Sequence, residues 1–542
     1  MALSLKRPCD EQVMSREADT GFNPCDKRSQ PWVLVATILG SSMAFIDSTV
    51  VNVALPALQA DLEATVTDVQ WIVASYTLFL AALILVGGAL GDRYGRRLIY
   101  AMGIAIFALA SAWCGFADTP AMLILARAVQ GIGAALLVPG SLAIISATFS
   151  AEDRGRAIGT WSGFSAMTTA LGPVIGGYVI ENISWRWIFF INIPLAIIIL
   201  VLLFWHVPES RSHQHGKLDW QGAVLGTLGL GGLVFGLTES SLYGFADPRV
   251  WGSIMLGVIM LALFLVVERR ADNPMFPLYV FKSRTFSGAN LLTLLLYFAL
   301  GGSLFFLPFN LIQVQGYTAT AAGAAFLPFP VLMFLISRWS GGLVERHGAR
   351  WPLAIGCTIA AGGFALFALP GIGGSYWTTF FPAIVVLGIG MSICVPPLTT
   401  AVMNAVDREH VGIASGINNA ASRTAGLLAI AILGIVMVNV FNVQLDERTA
   451  PLDLSPTVQE ELAVERTKLG AAAVPASTPA ELRDQLRLAL DQAFLVGFRT
   501  IMLLSAVLAL ASAIIAALMI EGQKIKERVQ EGAASTPSEA LG

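Results

Sequence analysis

Long apolar runs broken by short polar stretches set the pattern of this chain from about residue 32 to residue 521. Each run is long enough for a helix to cross roughly 30 Å of hydrocarbon. The breaks, rich in Gly, Pro or charge, predict fourteen spans. They fall near 32–57, 71–91, 98–117, 121–148, 157–180, 186–206, 220–241, 250–267, 287–312, 319–344, 351–370, 379–403, 410–442 and 496–521. The run from 410 is overlong, which predicts a tilted helix or one that leaves the membrane before residue 442. Polar residues 443–495 are expected to form an ordered peripheral cap, with a helical stretch around Thr478–Gln492.

Two of the polar breaks match. Gly88-Ala89-Leu90-Gly91-Asp92-Arg93-Tyr94-Gly95-Arg96-Arg97 follows the second run, and Gly341-Gly342-Leu343-Val344-Glu345-Arg346-His347-Gly348-Ala349-Arg350 follows the tenth, about 253 residues later. Gly131-Ile132-Gly133 with Pro139 is echoed by Gly388-Ile389-Gly390 with Pro396, and Gly155, Ala157 and Gly159 by Gly412, Ala414 and Gly416, both at about 257. Three echoes in one order predict an all-α membrane protein of two repeated six-helix halves with an inserted helix pair. The expected division is a tail over 1–31, a first half over 32–206, the inserted pair with its connections over 207–286, a second half over 287–521 that carries the 443–495 segment, and a tail over 522–542.

Composition agrees with the pattern: 56% of residues are hydrophobic and 13% charged, about half the usual charged share. The net charge of −3 gives no basic surface for nucleic acid. Five scattered cysteines have no metal-ligand spacing and indicate no disulfide framework. About thirty polar residues precede the first run, so no signal peptide is expected. With the N-terminus inside, the short inside loops hold about fourteen Lys and Arg and the short outside loops about two, which predicts both termini in the cytoplasm of a plasma or inner membrane protein.

Charged and polar residues inside the spans are the candidates for chemistry. Asp47 lies mid-span in the first run, where a carboxylate is costly in its charged form and marks a proton site or a hydrogen-bonded packing element. Arg127 and Gln130, three apart on one face of the fourth span, are candidates to tune that proton; snorkelling or a structural clamp is the alternative for Arg127. Arg423 resembles Arg127 in character but not in repeat position. In the fifth span Gly159, Gly163, Gly172, Pro173, Gly176 and Gly177 permit close helix packing and a bend, and are read either as packing or as a pliable seal. Asp92 in the first hairpin is more than anchoring needs, so Gly88, Asp92, Arg93, Gly95, Arg96 and Arg97, with Glu345 and Arg346 opposite, are read as a gate. Tyr76, Tyr297, Asn310, Gln313, Asn404, Asn418, Asn419 and Arg423 are candidate cavity lining. Trp71, Trp185, Trp187 and Trp377 are expected to anchor at the interface, and Glu239 to face interfacial water. No HExxH, no Gly-x-Ser-x-Gly elbow and no strand-borne Gly-x-Gly suggests an enzyme.

Taken together, these residues resemble the major facilitator superfamily, and within it the fourteen-span drug:proton antiporter branch. Gly88-x-Leu-x-Asp92-x-x-Gly95-Arg96-Arg97 is similar to the superfamily's hairpin signature, and Arg127-x-x-Gln-Gly-x-Gly to its fourth-helix proton-transfer motif. Gly172-Pro173-x-x-Gly176-Gly177 resembles the antiporter motif of exporters. Asp47-Ser-Thr-Val-Val-Asn-Val-Ala-Leu-Pro, Trp185-Arg-Trp-Ile-Phe-Phe-Ile-Asn-Ile-Pro and Leu218-Asp219-Trp220-x-Gly222 are similar to segments of the fourteen-span branch. The resemblance covers about residues 30–520. It implies an exporter of amphipathic or cationic small molecules, working as a monomer by alternating access and driven by protons without a cofactor or metal. An importer or lipid flippase of the same fold is the alternative. A periplasmic adaptor protein is left open. The second hairpin departs from the signature, with Glu345 in the acidic position and one arginine of the pair missing.

Overall fold

The computed structural model describes residues 29–149, 151–211, 219–271, 274, 276–406 and 411–521. Fourteen helices among these residues are long and apolar enough to cross a membrane, and no strand occurs among them. The first six are α1 (Gln30–Asp61), α2 (Val66–Tyr94), α3 (Arg96–Gly115), α4 (Pro120–Thr148), α5 (Ala151–Asn182) and α6 (Trp187–His206). The next two are α7 (Trp220–Tyr243) and α8 (Pro248–Arg270). The last six are α9 (Arg284–Phe309, continued by Asn310–Val314), α10 (Ala319–Ala325 with Pro328–His347), α11 (Arg350–Phe367), α12 (Phe380–Asn404), α13 (Val411–Thr449) and α14 (Ala480–Met519). Local chemistry starts them. Thr65 opens α2 with a capping box, its hydroxyl accepting from Asp68 N while the Asp68 carboxylate accepts from Thr65 N. Pro120, following the Thr119 cap, occupies the first turn of α4, where no amide donor is needed.

The two sets of six pack alike. In the first, α4 lies against α2 and α3, and α1 against α5 and α6; in the second, α12 lies against α10 and α11, and α9 against α13 and α14. Matched glycines permit the matched contacts. A Cβ on Gly103 would stand 2.9 Å from the Gly133 carbonyl oxygen, and one on Gly356 would stand 3.0 Å from that of Gly390. Both hairpins turn on a glycine with positive φ, Gly95 at 121° and Gly348 at 71°, at equivalent places in the repeat. Between the halves, α5 meets α10 and α2 meets α13, again an equivalent pair. The inserted α7 packs on α8 and lies over the α2–α13 seam. There Leu78, Val234 and Leu427 form a small buried cluster, and Trp71 Nε1 donates to Glu239 at 2.8 Å.

The halves are joined at the end away from the Gly88–Arg97 hairpin. A Cβ on Gly177 would stand 2.4 Å from the Ala319 carbonyl oxygen, and one on Gly323 2.1 Å from that of Pro173. Glu181 accepts from Thr320 N at 3.1 Å, and Gln313 Nε2 donates to Gln59 Oε1 at 3.0 Å. At the hairpin end, by contrast, Gly155, Gly159, Gly341 and Gly342 have no described neighbour within 4 Å of where a Cβ would sit. The structure is closed at the far end; at the hairpin end α5 and α10 diverge around these glycines, while α13 still meets α2, where a Cβ on Gly416 would stand 2.7 Å from Leu85 Cδ2.

Three expectations need correction. Helix α13 does not stop near 442 but continues to Thr449, and α14 begins at Ala480 rather than near 496, so the stretch around Thr478–Gln492 is the start of the last helix. The polar segment is thereby reduced to a short helix, Pro456–Glu465, and a tight turn, with Leu454, Val458, Leu462 and Leu469 buried in the core. It is also less peripheral than expected, because the Lys468 carbonyl accepts from Gln59 Nε2 of α1 at 3.1 Å. Finally, two expected interface anchors take internal partners. Trp185 is buried with its Nε1 on Asp61, and Trp71 holds Glu239, which therefore does not rely on interfacial water.

Candidate functional site

Helices α1, α2 and α4 converge on one sealed polar cluster. The Arg127 guanidinium donates from Nη1 to Asp47 Oδ2 at 2.6 Å and to Gln130 Oε1 at 2.7 Å. Gln130 Nε2 closes the ring by donating to Asp47 Oδ1 at 2.9 Å. Arg127 Nε donates to the Ile72 carbonyl at 3.3 Å, and its charge lies 4.2 Å from the centroid of the Tyr76 ring. The side chains of Asp47 and Arg127 are each 1% exposed. Both carboxylate oxygens thus have a donor, and the cation has a carboxylate, two carbonyl-type oxygens and an aromatic face. In a site this dry, charge-assisted bonds of this kind are the ones that matter. Removing one partner of such a buried pair leaves an uncompensated charge, which costs about 3–5 kcal/mol.

Glycine makes the convergence possible. A Cβ on Gly131 would stand 2.4 Å from the Tyr76 carbonyl oxygen, so only glycine lets α4 come this close to α2. One turn away, Cys114 of α3 completes the lining with its Sγ 3.7 Å from Gln130 Oε1. On its other side α1 packs against the fifth-span motif: Cβ atoms on Gly172 and Gly176 would stand 2.5 Å from Thr49 Oγ1 and 2.4 Å from Val50 Cγ1. Pro173 and Gly177 face α10, as described above. Gly163 lies farther toward the hairpin end, where it lines an apolar cavity of about 380 Å³ with Phe164, Met167 and Phe334. The fifth-span glycines are therefore split between packing on α1 and closing against the second half.

The hairpin makes its contacts within the first half. Arg96 pairs with Asp92 at 2.8 Å, one helical turn away. Arg97 donates to the Val207 carbonyl at 2.9 Å. The Glu209 carboxylate accepts from the backbone N–H groups of Arg97 and Leu98 at 3.0 and 3.2 Å, capping α3. It fills the space a Cβ on Gly95 would need, at 2.6 Å from the carboxyl carbon. Arg93 lies over the Tyr94 ring, and Gly88 has only ordinary contact with Pro139. Asp92 has no partner across the halves among the described residues, and the side chains of Glu345 and Arg346 lie outside the description. Nothing in the sequence pattern singled out Glu209; its only signal is an acid next to Pro208 after the sixth span.

The cavity candidates separate into two groups. Asn310 is fully buried, accepting from Gln315 Nε2 at 3.4 Å, and Gln313 bonds Gln59; both belong to the closed far end rather than to an open space. Tyr76, Tyr297 and Arg423 instead lie where α13 meets both α2 and α9: Leu427, one turn from Arg423, packs with Ala74 and Leu78 on either side of Tyr76, and a Cβ on Gly301, one turn from Tyr297, would stand 2.8 Å from the Gly426 Cα. Asn418 Nδ2 donates to Thr293 at 2.7 Å and Asn290 at 3.3 Å, tying α13 to α9. The exposed Asn419 bonds only its own helix at Ser415, and Asn404, also exposed, ends α12. Among the described residues no group of three or more His, Cys, Asp and Glu could hold a metal ion.

With this geometry in place, comparison with known proteins assigns the family. The sequence profile described as Major Facilitator Superfamily matches residues 37–430. The chain is 32% identical over 525 residues to the multidrug resistance protein Stp of Mycobacterium tuberculosis, covering 95% of each. It is also 32% identical, over 90% of its own length and 91% of the relative's, to the tetracenomycin C resistance and export protein of Streptomyces glaucescens. In fold it is similar to the crystal structure of a bacterial homologue of the human lysosomal transporter Spinster, in an inward-facing and unoccupied conformation. That match has a TM-score of 0.65 at 19% identity over 91% of this chain and 97% of the other. The chain is a multi-pass membrane transporter, and it belongs to the Major Facilitator Superfamily.

Proposed function

We propose that the chain exports amphipathic small molecules in exchange for protons, with Asp47 as the proton-binding group. The observation that carries this reading is the closed ring of Asp47, Arg127 and Gln130, buried beneath Tyr76 and beside the close contact of α1 with α5. Protonating Asp47 removes the negative partner of Arg127, so the ring that ties α1 to α4 must rearrange. Because α1 carries α5 on its other face, a shift of α1 reaches the α5–α10 contact that closes the far end. Proton binding is thereby linked to which end is open, and linkage requires only that the two states differ in proton affinity. The relatives named for drug resistance and for export support the direction of transport.

On this reading the basic hairpin end faces the cytoplasm of a plasma or inner membrane, with both termini on that side. The chain works as a monomer, using the proton gradient and no cofactor. Its two six-helix halves rock about the far-end seal, while the inserted pair stays over the α2–α13 seam. The test is transport in inside-out vesicles with an acidic lumen and a fluorescent amphipathic dye. The intact chain accumulates dye inside, and Asp47→Asn loses at least tenfold of the gradient-driven rate while remaining folded in the membrane. Undiminished gradient-driven uptake by Asp47→Asn would sink the assignment, and dye movement in the opposite direction would make the protein an importer.

A further inference from the structure

Arg423 differs from Arg127, the other arginine described near the middle of a span, in having no partner among the described residues. It stands in α13 roughly 18 Å along the helix from the Val411 end, taking a rise of 1.5 Å per residue. None of its nitrogens has a hydrogen-bond or ion-pair partner among the described residues, and its Nε is shielded from solvent. Arg127 is already neutralised by Asp47, whereas Arg423 is a positive charge without a carboxylate partner among the described residues. The helix register set by the Leu427 cluster with Ala74 and Leu78, and by the close approach of Gly301 to Gly426, places Tyr76 of the first half and Tyr297 of the second beside this stretch of α13, and neither hydroxyl has a hydrogen-bond partner among the described residues. Three groups able to donate to an oxyanion therefore share one region where the halves meet, with no acid paired to Arg423 among the described residues. An arginine held this deep without a counter-ion is costly, and cost of that kind marks substrate pathways. The planar guanidinium fork is suited to a carboxylate.

We infer that Arg423, with the hydroxyls of Tyr76 and Tyr297, receives an anionic oxygen group, a carboxylate or an acidic phenol or enol, on the transported molecule. This rests on the exporter reading and sharpens it. An organic cation, which the resemblance allowed, meets an unpaired arginine here, whereas an amphipathic acid supplies the missing counter-ion. The site also places cargo against Tyr76, whose ring face carries Arg127 on the sealed side. Cargo charge and the Asp47 proton are then separated by a single aromatic ring.

The test is equilibrium binding to the purified full-length chain in lipid nanodiscs, with no proton gradient. The probes are 2-naphthoate and its neutral near-isostere 2-naphthamide. The expected result is at least tenfold tighter binding of the carboxylate, abolished in Arg423→Gln and retained to at least a third in Arg423→Lys. Tyr297→Phe, which removes one hydroxyl and leaves the packing, is expected to reduce the preference about threefold. A wild-type chain that holds naphthoate no more tightly than naphthamide overturns the inference, as does an undiminished preference in Arg423→Gln. Repeating the measurement in phosphatidylglycerol discs separates cargo from lipid. A preference seen in phosphatidylcholine discs but lost in phosphatidylglycerol discs would assign the site to a lipid headgroup and overturn the cargo assignment. Because no gradient is applied, a failure here is distinct from a failure of Asp47→Asn to block transport.

Discussion

The two halves share a packing plan but fill corresponding pockets with opposite chemistry. In the first half, Arg127 and Gln130 precede the close-packing Gly131, and the facing residue of α2 is Tyr76. In the second half the same repeat offsets put Ile384, Leu387, Gly388 and, on α10, Phe329 at those places. Gly388 still packs against α10, next to the Phe329 Cα, but Ile384 and Leu387 are buried among other apolar side chains. The glycines therefore serve the repeat, and the polar ring serves something the second half does not do. The second half instead carries a half-buried charge one helix over, on Arg423 of α13, without a partner among the described residues. One half holds a cation satisfied by its own protein, and the other holds a cation that is not.

Breaking the satisfied side should produce the largest effect. Arg127→Ala leaves Asp47 buried with Gln130 as its only remaining donor, so destabilisation of about 3–5 kcal/mol is expected if the carboxyl stays ionised. Transport should fall by two orders of magnitude or more. Arg127→Met, which also removes the charge but keeps more of the volume, combined with Asp47→Leu, removes both ends of the pair, and thermal stability should recover much of the loss while transport does not. Thermal unfolding in detergent together with vesicle transport gives both readouts. Equal destabilisation of the single and the double variant would mean that the ion pair is not what holds α1 to α4.

A smaller effect is expected from spacing alone. In Gly131→Ala the new methyl group meets the Tyr76 carbonyl at 2.4 Å, so α2 and α4 must part by several tenths of an ångström. Overpacking of this kind costs about 1–3 kcal/mol. The displacement moves the Tyr76 ring relative to Arg127 while leaving every polar group of the cluster in the chain. Gly388→Ala should be milder, because the atoms it meets, at 3.0 Å and beyond, include the flexible Leu332 side chain. The pair is compared by transport rate and thermal stability. If Gly388→Ala proved the worse in transport, the coupling would have to be sought in the apolar pocket rather than the polar one.

How far the sequence anticipated all this depended on what kind of signal each feature leaves. Spans were legible because bilayer thickness forces an apolar run of fixed length, and the repeat was legible because its glycines recur at fixed offsets, some at close helix contacts such as Gly131, Gly133 and Gly390 and some, such as Gly155 and Gly341, in open space. The start of α14 was not, since Leu486, Leu490, Ala493 and Phe494 make an amphipathic face whose other side is polar, and it lies beyond the apolar run. Asp47, Arg127 and Gln130 stood out one by one as misplaced polar residues. Their mutual bonding could be suggested but not read, because α1 and α4 are joined only in space. Glu209 and Gln59 were missed for a different reason: a polar residue at a span end is ordinary, and only the turn of Gly95 or the approach of Lys468 gives it a role. Arg423 was read by analogy with Arg127, and the structure separates the two by their partners.

The smallest effect concerns a second arginine–carboxylate pair and tests whether distance or burial sets the strength of such contacts. Arg96 and Asp92 are 2.8 Å apart, close to the 2.6 Å of Arg127 and Asp47, yet the Asp92 side chain is 49% exposed and the Asp47 side chain 1%. Water and salt screen the hairpin pair, and exposed pairs one helical turn apart contribute well under about 1 kcal/mol. Asp92→Asn should therefore leave thermal stability nearly unchanged and should do so equally at low and high salt within a few tenths of a kcal/mol. Its transport is the more telling quantity. In the present arrangement Asp92 pairs with Arg96 and has no partner in the second half among the described residues; the gate reading requires that the same carboxylate meet the second half when the hairpin end closes. A several-fold loss of transport with unchanged stability would mean that Asp92 acts in the closed form, as a latch that the present arrangement leaves idle. Unchanged transport would reduce the hairpin to an anchor, and would leave Arg127 with Asp47 as the one arginine–carboxylate pair in this comparison that the transport cycle needs.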